Sequence, residues 1–218
     1  MTTTVYFDLD GTLLEYTTPF ADIFAQTLPT EVSEEMTDTY FEEVLSGITQ
    51  VEENPYRRAV EVVREAYDLD VNPEIVAETY IEEEAAATRV RPAVRQLVER
   101  VTSQHQTGIL TNGDGRMQRQ KLENHGLADL VDTIIVSNEV GSRKPDQALF
   151  KEAKKRLPAE TFVYVGDTYE EDIVPALEAG FTTVYVGEDH QPDAPVAAKG
   201  TEELAELLLP LVRGDSVN

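Results

Sequence analysis

The sequence predicts an α/β fold in which a parallel β-sheet core is interrupted, after its first strand, by a helical insert. From residue 92 onward, apolar runs with strand character alternate with helical patterns, which is typical of parallel βαβ units. The stretch before it, about 75 residues long, carries helix signals and no convincing strand. A length of 218 residues accommodates a core with an inserted second unit.

The first element is the run Val5–Asp10, in which apolar residues lead into two carboxylates and the turn Gly11-Thr12. We interpret it as a buried strand that enters a tight turn. We expect further strands at Thr107–Thr111, Thr133–Val136, Phe162–Val165 and Thr183–Val186. Helical patterns separate them at Pro92–Val101, Arg116–Asn124, Asp146–Arg156 and Asp172–Ala179.

The insert is expected to span residues 14–90 and to contain four helices. Thr18-Pro19, Asn54-Pro55 and Asn72-Pro73 each place an N-cap residue before a proline, and Ser33 is another N-cap candidate. Its 19 acids and four cations give the insert a net charge of −15. We therefore predict a small bundle at 14–90 and a core formed by residues 1–13 and 91–218.

Composition excludes several classes of function. A formal net charge of −24 repels nucleic acid and anionic membranes, so neither is expected as a partner. The absence of cysteine excludes disulfide scaffolds, zinc ribbons, Fe–S clusters and thiol nucleophiles. The acidic excess with only 6 Lys against 12 Arg suggests a cytoplasmic protein adapted to high salt, although an ordinary acidic surface would look similar.

Asp8 and Asp10 are the first candidates for chemistry. The two residues lie two positions apart on a predicted strand, so their side chains are expected to project from the same face at its carboxyl end. In open α/β sheets, ligands bind at this end of the strands. Two close carboxylates need a divalent cation or a shared proton. A helix N-cap or an Asx turn at Gly11 is the structural alternative.

Three further segments follow other predicted strands. Thr111 and Asn112 begin a glycine-bearing loop that opens a helix and suits an anion. Lys144 directly precedes a proline near the next helix start, and Asp167 ends a strand with Asp172 five residues later. Each alone has a structural explanation, namely a solvated lysine or, for Asp172, a helix N-cap.

Together and in this order, the four segments resemble the motifs of the haloacid dehalogenase-like (HAD) hydrolase superfamily. Asp8-Leu9-Asp10-Gly11-Thr12 is similar to the first motif, Thr111 to the second, Lys144-Pro145 to the third, and Gly166-Asp167 with Asp172 to the fourth. The resemblance covers nearly the whole chain and implies a Rossmann-like core with the insert as a cap domain. Glu171 and Ala93 depart from the usual Asn and Gly of the family.

The resemblance implies a phosphatase that hydrolyses small phosphomonoesters. Asp8 would be the nucleophile that forms an aspartyl-phosphate, and Asp10 would protonate the leaving alcohol and then activate water. Thr111 and Asn112 would bind the phosphoryl group, and Lys144 would offset negative charge. Mg²⁺ would be held by Asp8, the Asp10 backbone carbonyl and Asp167, with Asp172 as a direct or water-mediated ligand.

Alternatives within and outside this superfamily stay open. A haloacid dehalogenase uses the same nucleophile but does not need an acid at Asp10, and a phosphomutase keeps all four motifs. A phospho-accepting signalling module is about half this length, and a binding protein would not need every catalytic group. The expected partner is a small phosphorylated metabolite, with the chain a monomer or homodimer. Arg57 or Arg58 could hold a substrate anion or form surface ion pairs, and Tyr16 and Phe20 are expected to pack at the hinge.

Overall fold

A computed structural model of the chain describes residues 2–187, 196–199 and 201–213. It confirms the α/β class. The elements of residues 3–102 are β1 (Thr3–Phe7), β2 (Glu15–Tyr16), α1 (Phe20–Thr27), α2 (Glu34–Thr49), α3 (Pro55–Ala66), α4 (Pro73–Ala86), β3 (Thr88–Arg89) and α5 (Pro92–Thr102). The elements of residues 106–213 are β4 (Gln106–Thr111), α6 (Gly115–Asn124), β5 (Thr133–Val136), α7 (Ser137–Val140), α8 (Gln147–Arg156), β6 (Thr161–Gly166), α9 (Val174–Glu178), β7 (Thr182–Val186), β8 (Ala197–Ala198) and α10 (Thr201–Arg213).

Six strands form one sheet in the order β5-β4-β1-β6-β7-β8, and every pairing in it is parallel. Helices cover both faces, because both faces of each central strand are apolar. Val5 and Phe7 pack with α5 and α10. Tyr6 points to the opposite face, where it packs with Phe150 of α8 and Phe181.

Helices α1–α4 bury a hydrophobic cluster separate from the clusters of the sheet. Phe24 of α1 stacks on Tyr40 of α2 with ring centroids 4.0 Å apart, and Tyr80 of α4 meets Tyr40 edge-on at 5.1 Å. Through these contacts Phe24, Tyr40 and Tyr80 are buried together at the centre of the helical cluster. The four predicted helices are present, and the division of the chain at residues 14 and 90 stays a prediction.

Several local predictions were wrong. The insert contains strands after all, because Glu15–Tyr16 pairs antiparallel with Thr88–Arg89 where the chain leaves and re-enters the sheet core. Strand β1 ends at Phe7, so Asp8 and Asp10 lie beyond it. Thr18 is not an N-cap, since α1 begins at Phe20 with Pro19 in the cap position.

The capping predictions had mixed outcomes. Ser33 and Asn72 cap α2 and α4 through their side chains, as expected, whereas Asn54 holds the cap position of α3 without a side-chain capping bond. The helix predicted from Asp172 instead begins as a π-helical turn, Tyr169–Ile173, that leads into α9. Asp172 therefore lies inside this turn and is not a helix N-cap.

Candidate active site

The carboxyl ends of three adjacent strands meet at one point of the sheet edge. Strand β1 leads into Asp8, its neighbour β4 ends at Thr111, and its other neighbour β6 leads into Asp167. Because neighbouring parallel strands end at the same edge, residues far apart in the sequence become neighbours here. The loop before α8 brings Lys144 to the same point, where its ammonium contacts Asp8.

Lys144 is buried between two carboxylates. Its Nζ lies 2.8 Å from Asp8 Oδ1 and 2.5 Å from Asp172 Oδ1, and it donates to the Tyr164 hydroxyl at 3.0 Å. Burial alone would lower the pKa of Lys144, but the Asp172 and Asp8 charges outweigh it and raise the pKa above its usual value. The lysine is therefore held as a cation in the interior.

Asp8, Asp167 and Asp172 each offer a carboxylate oxygen within 4.8 Å of the others. Burial raises the pKa of Asp8 well above its ordinary range and also raises the pKa of Asp167, and the neighbouring Asp172 charge adds to both effects. Lys144 supplies one positive charge to this cluster of three acids. The donor set is all oxygen and still has excess negative charge, so these residues fit a hard divalent cation such as Mg²⁺.

The cluster members have different freedom to bind a metal. Asp172 is fully buried, and its two oxygens already accept from Lys144 Nζ, the Tyr164 hydroxyl and the Thr168 backbone N–H. Asp167 accepts from the Thr12 hydroxyl at 3.1 Å and is less buried. Asp8 and Asp167 thus accept fewer hydrogen bonds than Asp172 and are freer to bind a metal ion, whereas Asp172 is bonded to Lys144.

Asp10 is held by a different set of groups. Its carboxylate accepts from the Tyr16 hydroxyl at 3.0 Å, Gln118 Nε2 at 2.8 Å and Lys121 Nζ at 3.1 Å. The three-carboxylate cluster does not include the Asp10 side chain. A metal contact of Asp10 would therefore use its backbone carbonyl. Its carboxylate faces the cavity between the insert and α6.

Thr111 and Asn112 are both tied into the protein. The Thr111 hydroxyl accepts from Gln118 Nε2 at 3.0 Å and donates to the Asn112 carbonyl at 3.2 Å. The Asn112 side chain donates to the Lys144 carbonyl at 3.1 Å and accepts from the Lys144 backbone N–H at 2.8 Å. The Asn112 amide thus positions the Lys144 loop, a role that the sequence did not suggest.

Glu171, which departs from the family pattern, lies at the edge of the site. It forms an ion pair with Arg143 at 2.7 Å and accepts from Asn112 Nδ2 at 2.9 Å. Its charge is therefore partly compensated by Arg143. It adds a contact between the π-helical turn and the loops that carry Asn112 and Lys144.

Sequence reasoning missed the partners of Asp10. Lys121 of α6 is buried, and its Nζ also lies 3.0 Å from Glu84 of α4 and 2.6 Å from the Tyr16 hydroxyl. A detectable signal existed, because Lys121 shares a helical face with the buried Met117 and Gln118. Tyr16 is more than hinge packing, since its hydroxyl contacts Asp10 directly.

The arginines of the insert form ion pairs with neighbouring acids. Arg57 contacts Glu61 at 2.6 Å, and Arg58 contacts Glu43 at 2.8 Å. All four side chains are partly exposed, so these pairs are typical surface interactions of small energetic weight. Neither arginine lines the cavity beside Asp10, which favours the ion-pair interpretation over a substrate anion site.

A sequence profile described as haloacid dehalogenase-like hydrolase matches residues 5–186. The chain therefore belongs to this family of hydrolases, as the four motifs predicted. Its phosphatase relatives are consistent with a phosphoric monoester hydrolase. In the described part of the chain, no helix is long and apolar enough to cross a membrane.

The relatives that match this chain are named for different substrates. A pyrimidine 5′-nucleotidase of Escherichia coli is 32% identical over 148 residues, which cover 64% of this chain and 66% of that enzyme. A glyceraldehyde 3-phosphate phosphatase of Methanocaldococcus jannaschii is 30% identical over 191 residues, covering 84% of this chain and 83% of that enzyme. A HAD phosphatase of Thermococcus onnurineus superposes with a TM-score of 0.69 at 26% identity, over 95% of this chain and 98% of that one.

A 2-haloacid dehalogenase of Pseudomonas syringae superposes with a TM-score of 0.73 over 97% of this chain and 100% of that one. Its identity is 23%, so this likeness concerns the fold.

Proposed function

We propose that the protein is a Mg²⁺-dependent phosphatase that hydrolyses small phosphomonoesters through an aspartyl-phosphate on Asp8. The observation that carries the proposal is the buried Asp8–Lys144 pair beside Asp167, with Asp10 two residues further on at a cavity. A nucleophile, a fixed cation, a metal-binding carboxylate and a second acid are the groups that a two-step phosphoryl transfer needs.

In the first step, an Asp8 oxygen attacks phosphorus and the bond to the leaving alcohol breaks. Lys144 donates to Asp8 Oδ1, so one carboxylate oxygen is held by the ammonium and the other is available to react. The positive charge of Lys144 also offsets the negative charge that the incoming phosphate adds. Thr111 and the backbone after it cradle the phosphoryl oxygens.

Asp10 moves protons in both steps. It gives a proton to the leaving alcohol first and takes one from water when the aspartyl-phosphate is hydrolysed, which restores free Asp8. Its three donor partners, Tyr16, Gln118 and Lys121, hold the Asp10 carboxylate in place beside the cavity. Asp10 lines the adjacent cavity, so an alcohol bound there would lie on the side of the site where Asp10 can give it a proton.

Asp8 and Asp167, together with the Asp10 carbonyl, would hold Mg²⁺. Asp172 would position Lys144, which in turn donates to Asp8. The metal ion supplies charge neutralisation at the transferring phosphoryl group. We propose in addition that residues 14–90 act as a cap over this site, because their helices line the cavity beside Asp10. The acidic composition supports a cytoplasmic, salt-adapted enzyme.

Phosphate release from a panel of monoesters tests the proposal. The panel contains uridine 5′-monophosphate, glyceraldehyde 3-phosphate, phosphoserine and p-nitrophenyl phosphate, assayed with Mg²⁺ and with excess EDTA. We expect turnover with Mg²⁺, its loss with EDTA, and acid-stable phosphate bound to the protein after rapid quenching. Turnover that is unaffected by EDTA would contradict the metal requirement.

Two assays separate the alternatives. Asp10 favours phosphoryl transfer over dehalogenation, because dehalogenation has no alcohol to protonate. Chloride release from 2-chloropropionate would instead support a dehalogenase. Phosphate transfer between positions of one sugar, without net phosphate release, would support a phosphomutase.

A further inference from the structure

A cavity of about 400 Å³ lies between the insert and α6, with Asp10 in its wall. Its size is within the range of small-molecule sites. Residues from α2, α3 and α4 form one side, and residues from α6 and the loop after β4 form the other. A phosphomonoester whose phosphate reached Asp8 would place its alcohol portion here, on the Asp10 side of the site.

The wall of this cavity is predominantly apolar. Its apolar side chains include those of Phe20, Phe41, Leu45, Ile48 and Met117. Phe20 and Leu45 are 42% and 65% exposed, and both line this cavity, so their apolar surface is open to a bound molecule. The cavity therefore presents apolar surface that a substrate could cover.

The charged groups that line the cavity already have ion-pair or hydrogen-bond partners. Among the described residues that line the cavity, Lys121 is the single cation, and its ammonium is shared by Asp10 and Glu84. Asp114 caps α6 by accepting from the backbone of Arg116 and Met117. A second phosphate or a carboxylate on the substrate would meet acids here and no uncommitted cation, which would weaken its binding.

Aromatic rings form the part of the wall nearest the hinge. Phe20 meets Tyr16 edge-on with ring centroids 4.5 Å apart, and it lies 6.2 Å from Phe41. A planar ring inserted against Phe20 and Phe41 would extend this edge-to-face arrangement, which aromatic groups prefer. The Tyr16 hydroxyl and Asp10 at the inner end suit the alcohol oxygen that leaves.

We infer that the preferred substrate is the phosphomonoester of an uncharged alcohol that carries an apolar ring. This inference rests on the proposed phosphatase function and names its substrate class. The ring occupies the wall formed by Phe20, Phe41 and Leu45, and the ester oxygen lies towards Asp10. Bisphosphates, phosphorylated carboxylic acids and small polar triose phosphates are poor substrates.

The specificity constant kcat/KM, measured with Mg²⁺, tests the inference with three compounds: 2-phenylethyl phosphate, glycerol 1-phosphate and 3-phosphoglycerate. We expect the phenylethyl ester to exceed both others at least tenfold, which corresponds to about 1.4 kcal/mol of binding in the transition state. Equal values, or a preference for a polar or charged ester, would overturn the inference and leave the phosphatase function intact. If none of the three is hydrolysed while a monoester of the panel above is, the inference alone is overturned; if no ester of either set is hydrolysed, the phosphatase function is overturned as well.

Matched variants assign the preference to the cavity. Leu45→Ser and Phe20→Ser remove exposed side chains from its wall, so folding should survive and the preference for the phenylethyl ester should fall at least threefold. Ile75→Ser removes a side chain of α4 that is 60% exposed and lies outside the cavity lining, and it should leave the preference unchanged. A preference that Leu45→Ser and Phe20→Ser leave intact would refute the assignment.

Discussion

Replacing Lys121 by Met tests how much the buried ion pairs of Lys121 with Asp10 and Glu84 contribute to the stability of the protein. Lys121 is 2% exposed and bridges Asp10 at 3.1 Å and Glu84 at 3.0 Å. Burial would lower the pKa of Lys121, but the two carboxylates outweigh it and raise the pKa above its usual value. A cation with a raised pKa contributes stability below its unfolded pKa of about 10.4, and that contribution is lost only as the pH rises through the folded value.

The expected cost follows from burial. Lys121→Met leaves the Glu84 carboxylate, whose side chain is 6% exposed, without its cation, and breaking a buried pair in this way costs about 3–5 kcal/mol. For a protein of this size, each kcal/mol lowers the melting temperature by roughly 2–4 °C. The melting temperature should therefore fall by roughly 6–20 °C.

Removing both buried charges should restore stability. The double variant Glu84→Leu/Lys121→Met leaves neither partner buried alone, while Asp10 keeps its bonds from Tyr16 and Gln118. We expect it to recover about 2 kcal/mol or more relative to Lys121→Met, because the unpaired carboxylate is gone.

Urea denaturation at pH 7 and fixed salt measures these free energies of unfolding. Arg119→Met is the matched control, since Arg119 lies on the same helix and pairs with Glu139 at 2.7 Å on a partly exposed surface. Its loss should cost less than about 1 kcal/mol. The reasoning would be refuted if Lys121→Met cost no more than Arg119→Met, or if the Glu84→Leu and Lys121→Met costs simply added.

Further variants and conditions test the site and the surface. Asp8→Asn should reduce Mg²⁺-dependent turnover below a tenth of wild type without changing the circular dichroism spectrum, because an amide is a poor nucleophile. Asp10→Asn should slow aspartyl-phosphate formation far more for an alkyl phosphate than for p-nitrophenyl phosphate in single turnovers, since nitrophenolate leaves without a proton; equal slowing would exclude Asp10 as the acid. Gly11→Ala should raise the Mg²⁺ concentration for half-maximal activity, because the Cβ would lie 2.2 Å from Asp167 Oδ2 at a φ of +81°; Gly126→Ala, with a φ of +57° and open space, shares the backbone strain alone and should not. The melting temperature should rise between dilute buffer and molar KCl, since salt shortens the Debye length from about 10 Å at 0.1 M to about 3 Å at 1 M; a flat or falling value would argue against salt adaptation.

The sequence by itself determined the class of fold and the family. Runs such as Val5–Phe7 and Val163–Val165 are apolar and rich in β-branched or aromatic residues, so they predict buried parallel strands wherever they pack. Ser33 and Asn72 act as N-caps through neighbours three residues away or fewer, so local sequence predicted them. The same signal at Thr18 and Asn54 does not produce a side-chain cap. Three of the four motifs directly follow or end strands, and parallel strands bring their carboxyl ends to one edge.

Only the tertiary structure decided which groups contact each predicted site residue. The pairing of β2 with β3 joins residues more than 70 positions apart, and no local pattern marks two-residue strands. Lys121 and Glu84 are polar residues far apart in the sequence, and the Lys121 ammonium bridges Asp10 and Glu84 only because α4 packs on α6. Burial, charge pairing and the shape of a cavity depend on contacts between distant segments, so these properties of the site emerge only when the insert and the sheet are packed together.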